Sequence, residues 1–326
     1  MMRLAAIAWV ALFPVAWADD DFREFKGHEG PTRVVRFTPD GLTLISCSGW
    51  PEGDKTIRIW DVKTGKEKHV LRNHTGPVVS LAVSKDGKKL LSGSHDSTVR
   101  VWEIDSGKEL RTFTEHGMVA GIAATAFAPD GTTAASGDSN GKLLLWNTDT
   151  GKVIHELKGH TKDVRNLYFT PDGKKLVSSG FDGTIRIWNP ADGKEVKAIA
   201  SGIGRIEAIA LTPDAKEVVA TGPRTLRFNL ETGEQLKDYE TEGLSVAISP
   251  DGKKLLSGKY GGEMTLRDLA TGQVKAKYTA HLGNCFWIEF APDGKTAATA
   301  GGGGQMVDGK AQKGEDFMVR VWTLDD

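Results

Sequence analysis

The sequence predicts an all-β protein, a seven-bladed propeller of four-stranded antiparallel blades closed by an N-terminal strand. Three observations carry this expectation: one turn sequence recurs along the chain, a second glycine turn follows most of its copies, and only short strand-like runs lie between them. A fixed period of about 20 to 50 residues sets the architecture of a whole chain, because each unit buries its apolar face against its neighbours.

The first turn is an Asp-Gly with Pro or Lys in front, at Asp40, Asp86, Asp130, Asp172, Asp251 and Asp293, and Pro213-Asp214-Ala215 is a degenerate copy. Successive copies stand 37 to 46 residues apart. The second mark is a tight turn ending at Gly65, Gly107, Gly151, Gly193, Gly233 and Gly272, where glycine can adopt the positive φ of a hairpin. Runs such as VRNLYF, KKLVSSG and TIRIW are rich in branched and aromatic residues and too short for an ordinary helix. Each period therefore holds four short strands, a to d, the content of one blade.

A third mark ties the strands together. His28, His74, His116, His160 and His281 precede strand a, and Trp60, Trp102, Trp146, Trp188 and Trp322 end strand c. In lines such as GHTKDVRNLYFTPDGKKLVSSGFDGTIRIWN the chain resembles the WD-repeat family, over residues 20 to 326 and in what would be an exported bacterial form. The resemblance implies a buried hydrogen-bond relay in each blade: His160, Ser178, Asp182 and Trp188 in the fourth, His74, Ser92, Asp96 and Trp102 in the second. By the same resemblance Asp54 joins His28 and Trp60 in blade one, Asp316 joins His281 and Trp322 in blade seven, and His116 and Trp146 belong to blade three. Physics supports such a role, since a buried indole N–H or imidazole left unpaired costs about 1 to 3 kcal/mol. His69 and His155, at matching places on strand d, are expected to be solvated. The pattern weakens in blade five, with Phe228 for Trp, and in blade six, with Arg267 for Trp and Tyr239 where His would fall.

The ends explain ring closure. The last repeat stops just after strand c, while residues 20 to 26 form a strand d without a blade of its own, so this segment is expected to complete blade seven and remove the open edge. Before it, residues 1 to 18 carry Arg3, an apolar run from Leu4 to Trp17 and Ala16-Trp17-Ala18 as a cleavage signal. They read as a secretory signal peptide, the run being shorter than the roughly 20 residues of a membrane span. The expected product is a propeller over residues 19 to 326, periplasmic or extracellular, monomeric and not inserted in the membrane. In that compartment a disulfide between Cys47 and Cys285 is permitted, but both lie in apolar strand patterns, where a free thiol packs as a small hydrophobe.

Charge narrows the partners. With 42 Lys and Arg against 43 Asp and Glu, the net charge is −1, so no basic footprint for nucleic acid is present. Loop lengths point to a face. The a–b and c–d turns keep constant lengths, whereas blade one has four extra residues around Trp50 and blade seven thirteen extra between Gly301 and Glu315, both on the face of the d–a and b–c loops. A protein or peptide partner is expected there, with Trp50, His95, Phe181, Tyr260 and Met306 as candidate contacts, aromatic side chains being suited to interface cores. Trp287, inside strand a, reads as core or channel lining.

Chemical motifs do not point to an enzyme. Gly304 to Lys310 reads GxxxxGK, but Ala311 replaces the Ser or Thr that would hold magnesium and no helix follows. No G-x-S-x-G, H-E-x-x-H or metal-spaced Cys pair is present. Asp61 to Lys66 weakly resembles quinone-dependent propeller dehydrogenases, but the tryptophan stands before Thr-Gly-Lys instead of after it. The expectation is a scaffold without catalytic residues, cofactor or metal. The alternative is an exported enzyme or small-ligand sensor using the central channel, which a channel lined by charged pairs would favour.

Overall fold

The computed structural model describes residues 22–49, 53–118, 120–303 and 316–324, and the backbone of 306–307 and 310–311. Every regular element among them is a β-strand, and the strands form seven four-stranded antiparallel sheets arranged as a seven-bladed propeller. Blade four is typical: strand a is Val164–Phe169, b Leu176–Gly180, c Thr184–Asn189 and d Lys194–Ala200. Its strand b is wholly buried, strands a and c alternate between buried and half-buried residues, and its outer strand d is mostly exposed.

Blade seven closes the ring. Its strands run Asn284–Phe290, Thr296–Gly302 and Val319–Thr323, and Phe22–Phe25 supplies strand d, with Phe22 opposite Trp322 and Phe25 opposite Val319. Within the blade seven insertion, Met306–Val307 and Lys310–Ala311 pair as a two-stranded ribbon. Residues 1–18, Trp50 and the Met306 side chain lie outside the described residues, as does most of the insertion.

The core sits between neighbouring blades. Strand b and c residues of one blade meet the Trp of the next: Trp102 of blade two packs with Ile45, Ile57 and Ile59 of blade one, and Trp188 with Leu143 and Leu145 of blade three. Cys47 and Cys285 are buried free thiols in two different clusters. Burial pushes both up to about 12, so neither is poised to react.

The a–b and c–d turns lock the blades together. The proline of one a–b turn lies against the turn glycine of the next blade, as Pro39 does on Gly87, Pro129 on Gly173 and Pro292 on Gly41. At the c–d turns, a strand d side chain reaches a carbonyl of the following blade: Arg23 to Val62 O at 3.1 Å, Arg111 to Thr148 O at 3.1 Å and Lys197 to Glu231 O at 2.5 Å. His69 and His155 belong to this series. Contrary to the sequence expectation they are half-buried, because their rings lie against the turn glycines of the following blades, Gly107 and Gly193, with Nε2 2.8 Å from Asp105 O and 3.3 Å from Ala191 O.

Candidate binding site at the channel mouth

Five blades carry a buried relay that ties the d–a loop to strands b and c, while blades five and six have Phe228 and Arg267 at the Trp position. In blade four, His160 Nδ1 stands 2.8 Å from Asp182, its Nε2 2.7 Å from Ser178 Oγ, and Trp188 Nε1 donates to the same Oγ at 2.8 Å. Blade two repeats this, with His74 at 2.8 Å from Asp96 and 2.7 Å from Ser92, and Trp102 at 2.8 Å from Ser92. In blade one the chain runs Asp54, His28, Ser46, Trp60, and in blade three Asp138, His116, Ser136, Trp146. Blade three spaces His and Ser 20 residues apart instead of 18, absorbing its two extra residues in the d–a loop. In blade seven Thr299 takes the serine's place, 3.0 Å from both His281 Nε2 and Trp322 Nε1, and Asp316 stands 3.5 Å from His281 Nδ1.

Buried positions of this kind reveal themselves in their protonation. Burial alone would raise the Asp54 and Asp96 carboxyls, but hydrogen bonds from His28 and from His74 and Thr98 hold both far below the usual carboxylate range. The His28, His160 and His281 imidazoles are pushed down, chiefly by burial and against the pull of their carboxylates.

Above the relays, strand a carries a β-bulge near its start. The register between strands a and b slips between Thr32 and Val34, Val78 and Ser80, Ile122 and Ala124, Val164 and Asn166, and Cys285 and Trp287. A bulge re-aims the extra side chain, and the skipped residues all line the upper channel cavity: Arg33, Val79, Ala123, Arg165 and Phe286. Glu207 and Leu244 complete the ring from blades five and six, each standing seven residues before its turn aspartate like the other five. This position was legible as a column of the repeat but carries no fixed residue type, so the sequence reading passed over it.

The ring is strongly charged and held by aromatic faces. Arg33 lies over the Phe286 ring at 4.4 Å, and Arg165 and Arg205 lie over Phe181 at 5.1 and 4.8 Å. One turn lower, Arg36 rests on Trp287 at 4.5 Å, pairs with Glu289 at 2.7 Å and donates to Leu81 O at 3.0 Å. Trp287 is thus channel lining. The cavity encloses about 450 Å³ and opens on the face of the d–a and b–c loops; a second of about 360 Å³ opens on the opposite face, and Arg36 and Tyr168 line both.

Of the candidate contacts, Phe181 and Tyr260 line the upper cavity, and exposed His95 lies beside it against Gly121. His95 is pushed down by partial burial and by the charges of Arg165 and Arg33. The same face exposes Met118, Tyr260 and Leu282 by 96, 54 and 52%, far more than the apolar residues of the blade core. Among the described residues no cluster of His, Cys, Asp and Glu is placed to hold a metal ion.

The comparisons with known proteins agree with this architecture. Residues 20–61, 65–103, 107–147 and 151–189 match the WD domain, G-beta repeat family. The chain is similar to a WD repeat-containing protein of Synechocystis, 38% identical over 68 residues, which cover 21% of this chain and 19% of the relative. It is similar also to the guanine nucleotide-binding protein subunit beta of Arabidopsis thaliana, 39% identical over 75 residues, covering 22% of this chain and 19% of the relative. A third relative, U3 small nucleolar RNA-interacting protein 2 of Mus musculus, is 31% identical over 118 residues, covering 32% and 24%. The matched stretches thus span about a fifth of the length of these curated relatives, which come from a cyanobacterium, a plant and a mammal.

Proposed function

This chain carries WD repeats, and since propellers built of such repeats generally act as protein-interaction scaffolds, we propose that it is a non-enzymatic platform for a protein or peptide partner. The partner docks on the face of the d–a and b–c loops. The contrast between the two faces carries this, whereas the charged pairs Arg36–Glu289 and Arg205–Glu207 at the channel favour a small ligand within it. On one, prolines and long side chains are spent on neighbouring turns and Leu42 is the exposed large apolar residue of the described a–b turns; on the other, Met118, Tyr260 and Leu282 stand open around a charged, aromatic-lined mouth. Apolar and aromatic groups ringed by polar ones are what an interface core requires. Export through the segment at residues 1–18, action as a monomer and independence of nucleic acid are part of the proposal, as are contacts from Trp50, His95 and Met306.

The experiment is affinity capture from the exported fraction with the parent chain, Tyr260→Ala, and Lys174→Glu, which lies on the opposite face. Loss of a specific partner with Tyr260→Ala and retention with Lys174→Glu is the expected result; the reverse assigns the wrong face. N-terminal sequencing of exported material is expected to begin at Asp19, and recovery of Arg3 in it removes the signal peptide from the proposal.

A further inference from the structure

The upper cavity holds more positive charge than its own acids balance. Arg205 has Glu207 at 2.6 Å, and Arg36 has Glu289 at 2.7 Å. Arg165 reaches Asp163 only at 4.0 Å, and Arg33 makes no ion pair among the described residues. Surrounding protein, and then the charge of Arg165, bring the Arg33 guanidinium down to about 10, so two like charges face a common, poorly solvated space. Asp163 offsets them badly, because burial and the nearby charges of Asp138 and Glu207 raise its carboxyl despite Arg165.

Unsatisfied polar atoms converge on the same place. Arg165 Nε, Asp163 Oδ1, Asn166 Oδ1 and Trp287 Nε1 are buried without a hydrogen-bond partner among the described residues, and Arg165, Asn166 and Trp287 line this cavity. Most buried polar groups are paired in native proteins, so a local cluster of unpaired ones needs a reason. A guanidinium lying flat on a ring keeps its N–H edge available for a planar anion. The volume of about 450 Å³ falls within the usual range for small-molecule sites.

We propose that the upper channel mouth binds a small organic dicarboxylate, with Arg33 and Arg165 taking its charges and Tyr260, Leu244 and Phe286 flanking its carbon skeleton. Four arginines line the cavity, yet Arg36 and Arg205 are committed to acids, which leaves the two guanidiniums of Arg33 and Arg165 for the two charges of a dicarboxylate. The apolar flanks would leave most oxygens of a free phosphate unmatched, and the layer of Arg36 and Tyr168 beneath the cavity limits how far a longer chain could thread. This inference does not rest on the scaffold reading, since a free anion can occupy the mouth whether or not a protein docks around it.

The test is isothermal titration of the full exported chain at low ionic strength with isophthalate, its neutral diamide, inorganic phosphate and a short glutamate peptide. Expected are one saturable site for isophthalate, none for the diamide, and a loss of about tenfold or more in affinity, 1.4 kcal/mol per tenfold, for Arg33→Gln and for Arg165→Gln. Lys174→Glu is expected to bind as the parent does. Thermal melts establish that each variant is folded, and the parent titration decides the matter if one is not. Absence of saturable isophthalate binding overturns the proposal. So does equal binding of the diamide, tighter binding of phosphate, binding of the peptide without isophthalate, or a folded Arg33→Gln that binds as the parent does. A partner lost in the capture experiment while isophthalate still binds separates failure of the scaffold reading from failure of this one.

Discussion

Arg320 of the last strand holds Glu24 of the first at 3.1 Å, across a sequence separation of 296 residues. The same pair forms locally in other blades, where Arg58 meets Glu67, Arg100 meets Glu109 at 2.6 Å and Arg186 meets Glu195, each nine residues apart on strands c and d. The closing strand therefore keeps the ion pair from a different register position, Glu24 lying directly opposite Arg320 whereas Glu67, Glu109 and Glu195 lie opposite Trp60, Trp102 and Trp188. Glu24→Gln should cost only about 1 kcal/mol, because the pair is partly exposed and Arg320 keeps Asp316 at 3.0 Å. Deleting residues 22–25 exposes the strand edge and the Trp322 face and should cost several times more. Urea denaturation of both variants checks this; equal losses would mean that the ion pair, not the strand, closes the ring.

Trp188→Phe keeps the ring and removes the one indole donor to Ser178. A loss of about 1 to 2 kcal/mol is expected in a denaturation curve, with Phe228 of blade five showing that the fold accommodates a phenyl ring there. A silent substitution would mean that Ser178 gains nothing from the indole.

Acid should destabilise the protein in two steps. His28, His160 and His281 are held below the ordinary 6.5 in the fold, so the unfolded chain binds more protons as pH falls below about 6.5 and stability declines from there until the folded imidazoles titrate. Asp54, Asp96, Asp138, Asp182 and Asp316 are held below 3.8. Their contribution is intact above that value and is lost as pH falls through their depressed folded values. Urea midpoints measured from about pH 8 to 3 test this, and a flat midpoint down to about pH 5 would show that the folded imidazoles charge freely.

Ala215, in the degenerate Pro213-Asp214-Ala215 turn, has a φ of 52°, whereas Gly173 and Gly252 occupy the same place at 71°. A Cβ in this left-handed region costs about 1 to 2 kcal/mol, and glycine returns part of that through its freer unfolded state. Ala215→Gly should raise stability by about 0.5 to 1 kcal/mol, readable as a higher melting temperature.

The blades, their turns and the closing strand were legible because each depends on residue types that chemistry makes nearly obligatory: glycine at a positive φ, a serine where imidazole and indole meet. Ser136, Asp138 and Thr299 were harder to assign, since two inserted residues in blade three and a Thr for Ser in blade seven break the register in which the relay is read. The channel mouth was least legible. Its residues share a position, seven before each turn aspartate, and not a type, and their meeting depends on a ring that brings Arg33 and Arg165 together across 132 residues. The c–d latches were missed because Arg23, His69, Arg111, His155 and Lys197 look like ordinary solvated side chains on an edge strand.

Arg33 and Arg36 stand three residues apart on one strand and should respond oppositely to neutralisation. Arg36 pairs with Glu289, whose second oxygen accepts the Phe37 N–H at 3.0 Å, and neither side chain is more than 21% exposed. Arg36→Gln leaves that carboxylate half-buried without its cation, a loss expected to reach about 2 kcal/mol. Arg33 faces Arg165 with no carboxylate of its own among the described residues, so Arg33→Gln removes a repulsion along with a ring contact to Phe286. Its stability should stay within about 0.5 kcal/mol of the parent or exceed it. High salt, by screening the repulsion, should narrow the gap between Arg33→Gln and the parent. If Arg33→Gln proves as damaging as Arg36→Gln, the guanidinium is balanced within the fold, and the excess charge at the channel mouth does not exist.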